Sequence, residues 1–410
     1  MAELKPAILG GEPVTKRKIP FTQIVLTDDE SQAISDVLKT KIFVCGDYTE
    51  LLEREFARYV GTKHAIAVSN GTDGLFLSFL ALDITFGSRV VTTPLTFVAS
   101  ASTILHTGAV PVFVDVLPDG NLDPRKVSEV DNFNAICLVH LYGLPVDFDD
   151  FQRISVERGI PIIEDASHAH GAEYNGRKVG SLGDIAVFSL YPSKIIAAGG
   201  WGGIITTNAD ELNEKLRLLR AHGELRVLAG EKGAYEYIRL GYNLRMSEIE
   251  AAVAYFQLRK LDKFVEARRR LASYLTELLS DVPGIKLPKE PPGKKHAFYI
   301  YAIQIDPSET GWTRDAFVDA LNAEGISARA GYHTPLHKTK LFQNINDPRI
   351  NHFARVVRYP DYASLSLPLA ESLARTTVWL PMYPTLSLDE VEQIARAVKK
   401  LVDWGIKHKT

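Results

Sequence analysis

Residues 160–207 hold three short apolar runs, and each opens onto groups that carry chemistry. Pro161-Ile162-Ile163 ends in two carboxylates, Glu164 and Asp165. Ile185-Ala186-Val187-Phe188-Ser189-Leu190 runs into Tyr191-Pro192-Ser193-Lys194, and Gly203-Ile204-Ile205-Thr206-Thr207 follows. Apolar runs of this length, bounded by turn residues, read as buried strands rather than helices. A carboxylate at one strand end and a lysine just past another then meet at the carboxyl edge of an α/β sheet. That edge is where such sheets bind ligands.

One cofactor uses both groups. Pyridoxal 5'-phosphate (PLP) needs a lysine amine for its covalent link and an anion that keeps its pyridine nitrogen protonated. Lys194 and Asp165 suit these roles. Each also has an ordinary reading: a lysine after a strand is commonly solvated, and Asp165 could cap a helix over 166–170. The glycine-rich Gly199-Gly200-Trp201-Gly202-Gly203 beside Lys194 favours the joint reading, because backbone there can approach a flat ring closely.

The rest of the chain repeats one theme. His64-Ala65-Ile66-Ala67-Val68 is a buried-strand pattern, followed by the small-residue turn Ser69-Asn70-Gly71-Thr72 and an apolar helix over 75–82. A strand, a tight turn and a helix N-terminus form an anion site, since free N–H groups and the helix dipole point the same way. Strands over 90–93, 110–114 and 135–140 alternate with helical stretches, which predicts a mostly parallel sheet with helices on both faces.

Thr27/Glu30, Ser247/Glu250 and Ser387/Glu390 are spaced as capping boxes, the second opening a helix that should run to about 279. Residues 222–240, with Gly230-Glu231-Lys232-Gly233, read as irregular, and the lysine- and proline-rich 286–295 as a solvated, mobile loop. Strands are expected over 296–305 and 326–330. The division that follows is an N-terminal arm over 1–24, a large PLP-binding domain over 25–255, and a long connecting helix with a small C-terminal α/β domain over 256–410.

A net charge of −3 gives no electrostatic support for nucleic-acid or membrane binding, and no run reaches the roughly 18 apolar residues of a membrane span. Cys45 and Cys137 make neither a disulfide framework nor a metal site, and a cytoplasmic setting is expected.

Three phrases carry a resemblance: Glu164-Asp165-Ala166-Ser167-His168-Ala169-His170-Gly171, then Gly180-Ser181-Leu182-Gly183-Asp184, then Phe188-Ser189-Leu190-Tyr191-Pro192-Ser193-Lys194. They resemble the DegT/StrS-type nucleotide-sugar aminotransferases among the fold type I PLP enzymes, and the likeness spans about residues 19–401. The resemblance implies the fold type I architecture and a homodimer with shared active sites. It gives Lys194 the covalent link and the catalytic proton transfers, and Asp165 the pyridine nitrogen. His168 falls near the ring hydroxyl, and Phe97 stacks on the ring. Gly71, Thr72 and Ser189 hold the phosphate, with Asn243 reaching it from the partner subunit. No metal is implied. Two positions depart from the pattern: Ile195 follows the lysine in place of the usual asparagine, and Trp201 interrupts the glycines.

The implied reaction moves an amino group from an amino acid donor, glutamate or glutamine, to a keto-sugar, most simply a nucleotide-linked one. Alternatives are a keto-cyclitol or related ring ketone as acceptor, and a non-catalytic PLP-binding regulatory protein. Dehydratase relatives replace the lysine with histidine, and this chain keeps Lys194. Tyr332, His333 and His337 sit in a phrase that faces the active site in relatives.

Overall fold

The computed structural model describes residues 5–225 and 236–408. The Gly230–Gly233 part of the irregular segment and the first four residues of the arm lie outside the described residues. Seven strands form the larger sheet: β1 (His64–Val68), β2 (Arg89–Thr92), β3 (Val110–Phe113), β4 (Ala135–Val139), β5 (Ile162–Asp165), β6 (Ile185–Ser189) and β7 (Gly203–Thr207). Their order is β1-β7-β6-β5-β4-β2-β3, and β7 alone runs against the others. The expected mostly parallel, helix-covered sheet is what forms.

Both faces are buried, so the strands are apolar throughout, and successive residues alternate between two cores. Ile162, Ala186 and Phe188 join one core with Leu52, Phe56 and Phe151. Ile163, Ile185 and Val187 join the other, with Leu75 and Phe79 of helix Gly71–Ala81 and Ile104 of helix Ala99–His106. This parity decides which strand-end side chains can meet.

A second, antiparallel sheet comprises β8 (Ile285–Lys286), β9 (Tyr301–Ile305), β10 (Arg329–Ala330) and β11 (Thr377–Leu380), in the order β8-β9-β11-β10. Helix Leu388–His408 covers it, burying Val391, Ile394, Val398 and Leu401. The Ser387/Glu390 capping box forms, with Glu390 accepting from the Ser387 N–H at 2.8 Å.

Four expectations need correction. The helix begun by Ser247 stops at Leu258 and a new one spans Leu261–Leu279. At the break Lys260 N–H turns back to Gln257 O (3.0 Å), while its ammonium binds Glu30 at 2.6 Å. The strand expected over 296–305 starts only at Tyr301, because Phe298 takes a positive φ of 46° and Ala297 N–H bonds Gly143 O instead. The strand over 326–330 shrinks to Arg329–Ala330, because Ile326 and Ser327 pair with Ile19 of the arm. The lysine-rich stretch is anchored at its end: Lys294 is buried, 2.8 Å from Asp147, and pairs with Tyr174.

The N-terminal arm docks on the small sheet's helices. Glu324, fully buried, accepts from Ala7 N–H (2.8 Å), Val14 N–H (2.9 Å) and Lys400 Nζ (2.8 Å). Lys400 also donates to Glu12 O (2.7 Å). A buried pair with its remaining valences filled by backbone fixes one position of the arm.

Candidate active site

Strand parity puts Asp165 and Ser189 on one face of the sheet and turns Glu164 to the other. Glu164 is fully buried and accepts from Gly180, Leu182 and Gly183 N–H groups at 3.0, 2.9 and 2.8 Å, and pairs with His140 at 3.0 Å. Burial alone would raise its pKa, but these donors hold the carboxyl below its ordinary value. It fixes the end of β5 to the following loop, and Asp165 is the next residue.

Asp165 is buried at the carboxyl end of β5. Its Oδ2 accepts from Ser100 Oγ at 2.7 Å, and its Oδ1 from Ser167 N–H at 3.2 Å. Ser100 lies in the first turn of helix Ala99–His106, and its own N–H bonds Phe97 O at 3.3 Å. Phe97, Ser100 and Asp165 therefore form one chain of contacts. The Phe97 ring is 59% exposed, with a face open to a ligand.

The turn after β1 supplies an anion cradle. Asn70 caps helix Gly71–Ala81 by accepting from Asp73 N–H at 2.9 Å. Gly71 is there because nothing larger fits: a Cβ would lie 2.8 Å from Ser189 Cβ. Gly203, the first residue of β7, has the same constraint, since its Cβ would sit 2.5 Å from Asn70 C. Gly71, Thr72 and Ser189 thus converge at the positive end of an eleven-residue helix.

Lys194 lies in the turn between β6 and β7, its N–H bonded to Tyr191 O at 2.8 Å. Its ammonium stands 4.8 Å from the ring centroid of Tyr299, and it makes no ion pair among the described residues. The Tyr299 ring stacks on His168 with centroids 4.5 Å apart, and its hydroxyl lies 3.2 Å from Ser193 Oγ. His168 is buried with Nδ1 unpartnered. Burial, and then the charge of Lys194, hold its pKa well below the ordinary histidine value, so the ring is neutral. The same two causes hold His170 at about 3.

These observations fit PLP. A glycine cradle at a helix N-terminus suits its phosphate, an uncommitted lysine its aldehyde, a braced carboxylate its pyridine nitrogen, and a buried unpartnered imidazole nitrogen its ring oxygen.

A family model described as the DegT/DnrJ/EryC1/StrS aminotransferase family matches residues 25–399. The chain belongs to this family. It is a PLP-dependent aminotransferase. A pleiotropic regulatory protein of Geobacillus stearothermophilus is 35% identical, with 90% of this chain and 92% of that protein covered. A UDP-N-acetyl-3-dehydro-alpha-D-glucosamine 3-aminotransferase of Acidithiobacillus ferrooxidans is 34% identical, covering 92% of this chain and 94% of that protein. Among solved structures, DesV of S. venezuelae superposes with a TM-score of 0.83 at 32% identity, covering 95% of this chain and 99% of that one.

Seven of the eight residues singled out from the sequence gather around the carboxyl edge. Asn243 stands apart: it is exposed, bridges Ala221, and accepts from Arg245 Nε at 2.9 Å. Of the 332–337 phrase, only Tyr332 faces the aminotransferase centre. Its hydroxyl lies against Phe97 N–H, and burial, then the neighbouring tyrosines Tyr142 and Tyr299 and Asp165, push its pKa far above the ordinary value. His333 is exposed against Thr334, and His337 is buried against Glu371 at 3.1 Å. Ser100 and Tyr299 were not singled out. No local pattern marks them, because each acts through a partner distant in sequence.

Proposed function

We propose that this aminotransferase carries nitrogen from glutamate or glutamine to a keto-sugar borne on a nucleotide. The observation that carries the reading is the convergence of an uncommitted Lys194, a doubly braced Asp165 and the Gly71/Ser189 cradle on one sheet edge. The activity named for the Acidithiobacillus relative supports the acceptor class.

When bound, PLP supplies an aldehyde that takes up the donor nitrogen and a ring that stores an electron pair. Gly71, Thr72 and Ser189 would hold its phosphate, and the exposed Phe97 would offer its ring an apolar contact. Asp165, braced by Ser100 and Ser167, keeps a proton on the ring nitrogen. The Lys194 amine, once free, takes a proton from the donor α-carbon and returns one to the acceptor's nitrogen-bearing carbon. His168 stays neutral beside it and offers a hydrogen bond without a competing charge.

The second copy belongs to the same reading. Ile42, Phe43, Val44, Trp201 and Leu240 are exposed apolar side chains. Phe43 O accepts from Glu248 N–H and Trp201 N–H reaches Glu250, which places both beside the start of helix Glu248–Leu258 that Asn243 precedes. Such a patch invites a two-fold partner, and Asn243 would complete the partner's phosphate site. Among the described residues no helix is long and apolar enough to cross a membrane. Two free thiols accord with a cytoplasmic setting.

The test is a two-step reaction followed by absorbance. L-Glutamate should convert the PLP-loaded enzyme to the amino form of its cofactor, and a UDP- or dTDP-linked keto-sugar should convert it back. Return with keto-inositol but with no sugar nucleotide would favour the ring-ketone alternative. No conversion by any amino donor would favour a non-catalytic protein.

A further inference from the structure

Phe298 and Tyr299 stand just ahead of the small sheet, and the chain there is bent away from it. Phe298 takes a positive φ of 46°, a left-handed conformation that persists for a bulky residue only where its surroundings impose it. Three sets of contacts do so. Arg268, in helix Leu261–Leu279 and 2% exposed, donates to Phe298 O and Tyr299 O, each at 3.3 Å, and to Met382 O. These partners are carbonyls rather than carboxylates, so a buried charge is satisfied by fixing backbone. Ala297 N–H reaches Gly143 O at 3.0 Å, and Ile300 N–H reaches Tyr142 O at 3.4 Å. Gly143, with a φ of 102°, has no room for a side chain: a Cβ would lie 3.0 Å from His168 O and 3.1 Å from Phe298 N.

The bend separates neighbouring aromatic residues. Phe298 and Tyr301 join the core of the small sheet, while Tyr299 packs against that of the large one. Its ring then stacks on His168 with centroids 4.5 Å apart and lies 4.8 Å from the Lys194 ammonium. Its hydroxyl is 3.2 Å from Oγ of Ser193, the residue before Lys194. Two of these three contacts act on the lysine, one on its charge and one on its turn.

A lysine that carries a cofactor and also moves protons is released as a free amine in each half-reaction. A free lysine has a flexible four-carbon stem, and proton transfer needs its nitrogen within hydrogen-bond reach of the reacting carbon. An aromatic face within about 6 Å attracts an ammonium and narrows where it rests. Lys194 makes no ion pair among the described residues, so no carboxylate competes with the ring for it.

We infer that Tyr299 is a positioning residue for Lys194: its ring face holds the amine whenever the lysine is free, and its hydroxyl steadies the Lys194 turn through Ser193. The inference rests on Lys194 being the lysine of the proposed reaction.

The experiment compares Tyr299→Leu and Tyr299→Phe in the L-glutamate half-reaction and adds a readout independent of turnover. Tyr299→Leu removes the face and should slow the saturated half-reaction about tenfold to thirtyfold, with half-saturating glutamate little changed. Tyr299→Phe keeps the face and should stay within about fivefold of the parent. For the second readout, enzyme loaded with the amino form of the cofactor, in which Lys194 is free, is reductively methylated with isotopically labelled formaldehyde. The dimethyl-lysine keeps its charge, and its NMR signal is assigned by its loss in Lys194→Ala. In the parent that signal should be displaced upfield of the other lysines by the Tyr299 ring, and in Tyr299→Leu it should return among them. An unshifted signal in the parent overturns the inference whether or not the leucine variant folds. Equal losses in Tyr299→Leu and Tyr299→Phe, or a loss confined to half-saturating glutamate, overturn it as well. Turnover by Lys194→Ala would overturn the reading beneath the inference, whereas an inactive Lys194→Ala with an unshifted parent signal overturns the inference alone.

Discussion

Ser100 Oγ donates to Asp165 Oδ2 across 2.7 Å, joining the first turn of one helix to the end of the central strand. With Ser167 N–H on the other oxygen, the carboxylate has one orientation. Asp165→Asn removes the charge that keeps the pyridine nitrogen protonated. PLP should still bind through the Gly71 turn while the glutamate half-reaction collapses. Ser100→Ala keeps the charge and loosens it. Its half-reaction should slow about tenfold, the scale of one hydrogen bond to a charged group. Equal rates for Ser100→Ala and the parent, by stopped-flow absorbance, would show that Ser167 suffices.

Lys194 is the lysine expected to carry PLP. Borohydride reduction of the loaded enzyme followed by peptide mapping should place the label there, and a label on Lys178 or Lys215 would refute the assignment. Lys194→Ala should abolish transamination and leave the circular-dichroism spectrum unchanged, because the side chain makes no ion pair among the described residues.

Much of this centre was legible in the chain because its parts are local. Ser189 ends a strand and Lys194 lies in the turn that follows it, Asp165 ends an apolar run, and Gly71 follows a strand and opens a helix, so short patterns bring each to the sheet edge. Ser100 and Tyr299 were not legible. Ser100 meets a residue 65 positions away and Tyr299 meets Ser193 over 106, and helix periodicity says nothing about either pairing. The arm likewise reads as loose from its glycines and prolines. What fixes it is the buried Glu324–Lys400 pair, whose members lie 76 residues apart and far from the arm in sequence. The break at Lys260 has no glycine or proline to announce it, and follows from the salt bridge to Glu30.

Three buried histidines, His168, His170 and His296, should contribute to the acid limb of stability. Burial, followed by the charge of Lys194, holds His170 at about 3, and burial, followed by Arg269, holds His296 at about 3. In the unfolded chain all three titrate near 6.5. Below that pH the unfolded chain binds protons that the folded chain refuses. Stability is therefore full above about pH 6.5 and is lost as pH falls toward 3, by up to about 1.4 kcal/mol per unit for each histidine. His296 Nδ1 accepts from Phe298 N–H at 2.9 Å, a bond that protonation would break and an asparagine oxygen could replace. Urea midpoints should fall between pH 7 and 5, and His296→Asn should flatten that slope. An identical slope in the variant would assign the effect elsewhere.

Asn243 provides the test of assembly. It is exposed just ahead of helix Glu248–Leu258, at whose start the exposed Phe43 and Trp201 also lie, and its amide oxygen is held by Arg245 Nε at 2.9 Å. If it completes the phosphate site of a second copy, each active site draws on both subunits, and one two-fold interface makes two sites. Asn243→Ala alone should then weaken PLP binding, and this is measured first by dialysis and absorbance. Lys194→Ala and Asn243→Ala, both impaired, should recover activity when mixed and reassembled, because one hybrid site combines an intact Lys194 with an intact Asn243. A verified heterodimer without recovered activity, or a fully active monomer in sedimentation, would show that each chain builds its site alone.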